Sequence, residues 1–493
     1  MEKINSIIIG LGQTGISVAR FLAHENIDFI VCDTRDSVAN LADFQAEFPE
    51  VLIYLGKLDL SLLKSATRLI VSPGIAISTP AIAAAQQAGV EIIGDIELFV
   101  RHCAAPIIVI TGSNGKTTTT TLVGEMAQAS GFRVGIGGNI GTPALDLLGN
   151  DYNFFILELS SFQLETTQSL KAAAAVCLNV SDNHMDRYPN FQEYVNAKNR
   201  IYKNSAISVI NLDDPQSWQT ANLSNNKIGF TVENAPKPKD LKHCFVLKEE
   251  KLLNSPSSAP ASLKLRRVDF SLEGEVKEPA GRSVPVPSPL RARVRGDQLA
   301  IYYDDQFWLS VNDLPIKTKH HCANLLAAFA LGSSCNFKKE AMLSVAKSFM
   351  GIPHRCQMVA EKNGVVWIND SKATTIAAAT VAIENIGATI TGKIILIAGG
   401  DGKGANFTPF AKPISDYCRA VILLGRDAEQ IAAILPKFIK PVFVKTLAEA
   451  VTQAVQFAET GDAVLLSPAC ASTDMFKNFV ERGELFINYV NEL

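Results

Sequence analysis

Short apolar runs that close on glycine, asparagine, aspartate or serine recur along the chain, each followed by apolar residues at helical spacing. Continuous apolar runs belong to strands covered on both faces. They predict strands over residues 4–12, Phe29–Asp33 and Leu69–Val71, then Ile107–Ile110, Phe154–Glu158, Ala175–Asn179 and Ser208–Asn211. A third group follows at Val365–Asn369, Lys393–Ala398, Ala420–Leu424, Pro441–Val444 and Ala463–Ser467. With helices between them, mostly parallel sheets are the economical arrangement. The pattern predicts an α/β chain of three domains, each a mostly parallel sheet flanked by helices, at residues 1–95, 96–350 and 351–493. The third opens at the turn Gly351-Ile-Pro-His-Arg355, and 493 residues have room for about three domains.

Residues 232–318 break this rhythm. Prolines stand at 256, 260, 279, 285, 287 and 289, among serines and a basic cluster of Lys264, Arg266, Arg267, Arg291, Arg293 and Arg295. The stretch reads as a solvated, proline-rich surface insertion without structure of its own, with a docking segment as the sharper alternative.

Composition narrows the class. Hydrophobic residues are 47% and charged residues 19%, a globular balance. The net charge of −3 gives no global field toward nucleic acid or anionic lipid. The nine cysteines form no C-x-x-C pair, as in a reducing compartment. The first residues lack a signal-peptide pattern and no apolar run is long enough to span a bilayer. We therefore expect a cytoplasmic protein that binds no nucleic acid, does not insert into membranes and is a monomer.

The strongest chemical signal follows the strand at Ile107. Gly112-Ser113-Asn114-Gly115-Lys116-Thr117-Thr118 runs from a strand into a helix. Backbone N–H groups at a helix N-terminus make a phosphate cradle; Lys116 reaches the terminal phosphates and the Thr117 hydroxyl can ligate Mg²⁺. The form is shorter than usual, with Ile110 where the first glycine would stand and Gly112 inside the loop.

Gly10-Leu-Gly12-Gln13-Thr14-Gly15 is a G-x-G-x-x-G between strand and helix, and Asp33 ends the next strand. That pattern accepts a pyrophosphate and normally signals a dinucleotide, but cannot by itself distinguish one nucleotide from another. Glu158 ends a strand in the phosphate-loop domain and is placed for Mg²⁺. His184 follows a strand at the end of the sheet where ligands gather. Lys198, on a helix after His184, reads by default as a solvated lysine, because an ammonium has no lone pair for a metal.

The segments TGSNGKTTTT, LELSSFQLE, NVSDNHMDRYP, GIPHRCQMV, NDSKATT, GGDGKGANF and LLSPACASTDMFKNF, in this order, resemble the Mur ligases. The resemblance covers nearly the whole chain outside 232–318. It implies a Rossmann-like N-terminal domain, a P-loop ATPase-like central domain and a Rossmann-like C-terminal domain. It further implies an ATP-dependent ligase adding D-glutamate to UDP-N-acetylmuramoyl-L-alanine, through an acyl phosphate, in peptidoglycan precursor synthesis. By the same resemblance the first domain holds UDP through Gln13, Thr14, Asp33, Thr34, Arg35, Ser72, Pro73 and Gly74, and Asn139 of the middle domain contacts the muramoyl substrate.

Two Mg²⁺ ions are implied, one near Thr117 and Glu158, the other held by His184 and a carbamylated Lys198. A carbamate would turn that cation into an anionic oxygen ligand. ATP contacts would extend to Asn324, Arg355 and Asp370, with Lys372 helping to place the reacting groups. D-Glutamate would be held by Thr374, Lys403, Ser472 and Phe479. The chain departs from the family at His321, where asparagine is frequent, and at Thr473, where leucine is common. The rival readings are another amide ligase of the Mur and folylpolyglutamate superfamily, an NAD-dependent dehydrogenase, and a nucleotide-gated binding protein without catalysis. The first-domain pattern and the SPACASTDMFKNF segment speak against the first, and the dehydrogenase leaves the ATP loop unused.

Overall fold

The computed structural model describes residues 4–38, 40–181, 187–221, 223–249 and 299–493. Three sheets follow one another along the chain. The first contains β1 (Ile4–Ile9), β2 (Phe29–Asp33), β3 (Ile53–Leu55), β4 (Ala66–Val71) and β5 (Glu91–Ile93), ordered β3-β2-β1-β4-β5 and parallel throughout. The order reverses beside β1, so a crevice opens there at the carboxyl ends of the strands.

The middle sheet has β6 (Ile107–Thr111), β7 (Val134–Gly138), β8 (Phe154–Glu158), β9 (Ala174–Cys177), β10 (Ile207–Asn211), β11 (Lys227–Thr231), β12 (His243–Glu249), β13 (Leu299–Tyr303) and β14 (Gln306–Ser310). Their order is β14-β13-β12-β11-β10-β9-β6-β8-β7. β6 therefore lies between β8 and β9, and the loops after all three strands share one end of the sheet. The third sheet has β15 (Gln357–Lys362), β16 (Val365–Asn369), β17 (Ile394–Ala398), β18 (Cys418–Leu423), β19 (Pro441–Phe443) and β20 (Ala463–Leu466), ordered β15-β16-β20-β17-β18-β19, with only the β15–β16 pair antiparallel. The expected three-domain α/β architecture of mostly parallel sheets is what the chain adopts.

Both faces of β6 are covered, which explains its unbroken apolar run. Ile108 and Ile110 meet Leu122, Val123 and Met126 of the helix Lys116–Ala129 and the apolar face of the helix Lys319–Ser334. Val109 joins a core shared with the first domain, where Phe99 meets Phe155 edge-on at 5.1 Å. Each such side chain stabilises the fold by roughly 1.5–3 kcal/mol when fully buried. The third domain has cores of its own around Leu396 and Leu466.

The reading of 232–318 as a stretch without structure of its own needs correction. β12 pairs in parallel with β11, and β13 and β14 extend the sheet antiparallel from it. Phe245, Ile301 and Trp308 are buried there, with Phe245 stacked on Tyr303 at 4.3 Å. These strands are short and flanked by lysine, aspartate and proline, so composition averaged over the stretch hides them. The recurrent prolines and the basic cluster lie outside the described residues. Among the described residues no helix is long and apolar enough to cross a membrane.

Candidate active site

The loop after β6 is held from behind by Asn179. Asn114 N–H donates to Asn179 Oδ1 at 2.8 Å, Asn179 Nδ2 donates to Asn114 O at 3.1 Å, and Ser113 N–H donates to Asn179 O at 2.9 Å. Gly112 and Gly115 have φ of +150° and +82°, where a side chain would be strained. A Cβ on Gly115 would stand 2.2 Å from Asn324 Oδ1, so the helix Lys319–Ser334 brings Asn324 directly onto the loop. Gly115 starts the helix Lys116–Ala129 without a side-chain cap, whereas Asn190 and Asn478 cap the helices they precede. Its first-turn N–H groups, with Thr118 among them, face the loop for an anion.

Five of the expected polar residues converge here. Lys116 Nζ donates to Gly112 O at 2.9 Å and to Ser113 O at 3.1 Å. Lys198 Nζ donates to the same Gly112 O at 3.0 Å. Thr117 Oγ1 donates to Glu158 Oε2 at 2.9 Å, and Asn139 Nδ2 donates to Glu158 Oε1 at 2.9 Å. His184 lies outside the described residues. Lys198 is not the solvated lysine its helix suggested. It is 2% exposed, with Nζ 4.8 Å from the Tyr194 ring centroid. Burial, with Lys116 adding like-charge repulsion, holds its pKa down to about 7. Burial also lowers that of Lys116, with Arg355 contributing.

Arg355 and Lys372 thus belong to the same electrostatic neighbourhood. Lys372 is lowered by burial and then by Arg355, while Glu158 acts in the opposite sense. Asp370 lies beneath the turn that carries Arg355: it accepts from Cys356 N–H at 3.1 Å and from Ser467 Oγ at 2.7 Å, and burial raises its pKa to about 6. His321 is buried against Phe349, its pKa lowered to about 4 by burial, and its Nε2 has no hydrogen-bond partner among the described residues.

In the first domain Asp33 is fully engaged. Its Oδ2 accepts from Leu11 N–H and Arg35 Nη2, both at 2.7 Å, and its Oδ1 from Arg35 N–H at 2.9 Å and Nε at 2.8 Å. The Arg35 contacts hold its pKa down to about 2. An acid with its lone pairs so occupied is poorly placed to accept ribose hydroxyls, which weakens the dehydrogenase reading. Thr34 is exposed between this pair. The helix Gln13–His24 begins at Gly12 without a side-chain cap, leaving Gln13 and Thr14 at an open N-terminus; Gln13 Nε2 is 3.5 Å from Gly141 O. Ser72 Oγ donates to Gly10 O at 3.1 Å, which sets Ser72, Pro73 and Gly74 beside the glycine loop.

The third-domain residues gather at the carboxyl ends of β16, β17 and β20. Asp401 and Ala471 exchange backbone hydrogen bonds of 3.0 and 2.9 Å, joining the loop of Lys403 to that of Ser472. Ala469 N–H donates to Ala373 O at 3.0 Å, which draws in Thr374. Phe479 O accepts from Ser371 Oγ at 2.8 Å, and Lys372 Nζ is 5.9 Å from the Phe479 ring. Sequence reasoning missed the residue that ties these loops. Arg482 is 2% exposed and donates to Ser371 Oγ at 3.0 Å, Ser371 O at 2.9 Å and Cys470 O at 3.3 Å. The available signal was its spacing: Phe479, Arg482, Phe486 and Val490 share one helical face, so an arginine stands in an apolar stripe. Tyr194 and Asn179 were missed as well.

A strand, a phosphate loop and a helix with a carboxylate on the next strand define a nucleoside-triphosphate-using α/β protein, here set between two further α/β domains. Three family models match: Mur ligase MurD-like, N-terminal domain, over residues 4–94; Mur ligase middle domain over 110–255; and Mur ligase, glutamate ligase domain, over 354–470. The chain belongs to the Mur ligase family. It is 45% identical over 480 residues, 97% of this chain and 96% of the relative, to a UDP-N-acetylmuramoylalanine--D-glutamate ligase of Pseudomonas putida. Identity to the protein of the same name from Pseudomonas aeruginosa is 45% over 487 residues, 99% of this chain and 98% of the relative. Among solved structures it shares its fold with a UDP-N-acetylmuramate-alanine ligase from Thermotoga maritima, at TM-score 0.52 and 16% identity over 99% of both chains.

Proposed function

We propose that this chain joins the amine of D-glutamate to the alanyl carboxylate of UDP-N-acetylmuramoyl-L-alanine while ATP becomes ADP and phosphate. The chain is an ATP-dependent carbon–nitrogen ligase of peptidoglycan precursor synthesis. The observation that carries the chemistry is the meeting of Lys116 and Lys198 on Gly112 O beside the Thr117–Glu158 pair. Near-full-length identity to D-glutamate ligases carries the substrate.

In the first step an alanyl carboxylate oxygen attacks the γ-phosphorus of ATP, and the bond from phosphorus to the ADP oxygen breaks. Lys116, Arg355 and Lys372 offset charge on the transferring group, and the first-turn N–H groups hold the phosphates. The D-glutamate nitrogen then attacks the acyl carbon; phosphate leaves with the former carboxylate oxygen and the nitrogen loses its proton. No protein nucleophile is required. Thr374, Lys403, Ser472 and Phe479 hold the amino acid, Lys403 facing a carboxylate. The first domain holds UDP through the glycine loop, Thr34, Arg35 and the Ser72–Gly74 loop.

Thr117, Glu158 and the phosphates form a hard oxygen donor set that suits Mg²⁺. When bound, Mg²⁺ supplies charge neutralisation at the phosphoryl group. A lysine held near pKa 7 has much of its amine neutral and nucleophilic toward CO₂, which supports carbamylation of Lys198 and a second ion held with His184. We also infer a cytoplasmic monomer with domain limits near Asp95 and Gly351. The test is phosphate release from ATP with UDP-N-acetylmuramoyl-L-alanine across a panel of D- and L-amino acids. Selective stimulation by D-glutamate is expected; stimulation by another amino acid instead would replace this reading with another ligase of the superfamily.

A further inference from the structure

Arg187 crosses from the middle domain to the first. Its Nη1 donates to Pro73 O at 2.6 Å and its Nη2 to Ile75 O at 3.2 Å. The guanidinium lies 3.9 Å from the Phe162 ring centroid, with Glu165 at 3.8 Å, and the side chain is only 14% exposed. A planar cation stacked on a ring and forked onto two carbonyls has one orientation open to it. The loop it grips is in turn bonded to the glycine loop, through Ser72 Oγ to Gly10 O at 3.1 Å and Ser72 N–H to Ile9 O at 2.9 Å. A continuous chain therefore runs from Phe162, just after β8, through Arg187 and Ser72 to the first domain's glycine loop.

Among the described residues, Gln13 Nε2 at the glycine loop also lies 3.5 Å from Gly141 O of the middle domain, and further ties lie away from that loop. Gln163 Nε2 donates to Asp95 Oδ2 at 3.0 Å, Ser17 Oγ donates to Asp146 Oδ1 at 2.6 Å, and Glu97 accepts from Gln168 and Ser169. Those contacts join the domains. Arg187 grips the loop beside the glycine loop.

We propose that Arg187 is a positioning residue for the sugar-nucleotide substrate: it sets the Ser72–Gly74 loop against the middle domain so that a substrate held in the first domain presents its carboxylate to the phosphate loop. This rests on the reading of the first domain as the UDP site. The effect falls on the reach between domains, because Ser72 keeps the loop on Gly10 without Arg187.

The experiment compares wild type, Arg187→Ala and Arg187→Lys in the full chain. It measures affinity for UDP alone, KM for UDP-N-acetylmuramoyl-L-alanine, KM for ATP and the thermal midpoint. Expected are UDP affinity and ATP KM within about twofold of wild type, and a sugar-nucleotide KM raised about tenfold in both variants, the scale of one charge-assisted hydrogen bond. Lysine keeps the charge near Glu165 but loses the fork, so it does not rescue. Equal loss of UDP and full-substrate binding, an ATP KM that rises in step, an unchanged sugar-nucleotide KM, or rescue by Arg187→Lys would each overturn the proposal. Should Arg187→Ala unfold, Arg187→Lys alone decides by the same criteria. A wild type without D-glutamate-dependent phosphate release would instead sink the functional reading itself.

Discussion

Thr117 Oγ1 donates to Glu158 Oε2 at 2.9 Å, joining the first turn of the phosphate-loop helix to the end of β8. Both groups are buried, and Asn139 occupies the other carboxylate oxygen. The contact sets side by side the two oxygen donors proposed above for Mg²⁺. Glu158→Gln keeps the shape and removes the charge of the proposed Mg²⁺ ligand. We expect kcat to fall by at least about 100-fold and the half-saturating Mg²⁺ concentration to rise, with little change in thermal midpoint. A variant with the wild-type Mg²⁺ dependence would remove Glu158 from the metal site.

Lys198 is buried with its amine near half-neutral at pH 7. Lys198→Ala should nearly abolish turnover. Nuclear magnetic resonance of the wild type with isotopically labelled bicarbonate should show a carbamate signal that is absent from the variant. The signal should strengthen as pH rises through about 7, because only the neutral amine reacts. Full activity of Lys198→Ala would refute a role at the metals.

Arg482 is a buried cation whose bonds go to carbonyls and a hydroxyl, and burial lowers its pKa to about 10. Arg482→Lys can bridge Ser371 or Cys470 but not both. The expected result is a KM for D-glutamate raised about tenfold with the ATP KM unchanged, read from steady-state kinetics. Equal KM values for D-glutamate would show that the loops hold their places without it.

Asp95 joins the first domain to Gln163, and burial raises its pKa to about 6. A carboxyl raised above its unfolded value favours the fold most below the unfolded pKa, and that contribution is lost as pH rises through about 6. Asp95→Asn cannot titrate. Between about pH 4 and pH 7 the wild type should therefore lose about 2–3 kcal/mol relative to Asp95→Asn, the size of a two-unit shift. Thermal midpoints measured in parallel check this, and parallel curves would contradict it.

Much of the fold was legible because buried parallel strands announce themselves as unbroken apolar runs, as Ile107–Ile110 and Ile394–Ala398 do. Strand β7 was not, because Val134–Gly138 contains three glycines and little apolar surface. β12 to β14 were hidden by polar flanks. At the site, residues carried by local motifs were readable: Gly112 to Thr118 and Glu158 announce themselves by spacing. Lys198, Arg187 and Arg482 were not readable in the same way. What makes each one special comes from distant segments, namely Gly112 for Lys198, Pro73 for Arg187 and Cys470 for Arg482. A helix shows which face a lysine occupies, but not what covers that face.

The central claim is that this chain makes one amide bond per ATP, between a muramoyl-linked alanine and D-glutamate. Mass spectrometry of the reaction of purified protein with UDP-N-acetylmuramoyl-L-alanine, ATP, Mg²⁺ and either enantiomer of glutamate tests it most directly. The account predicts the D-glutamyl amide product in step with released phosphate, and none from L-glutamate. Equal product from both enantiomers, or ATP cleavage without any amide, would contradict it.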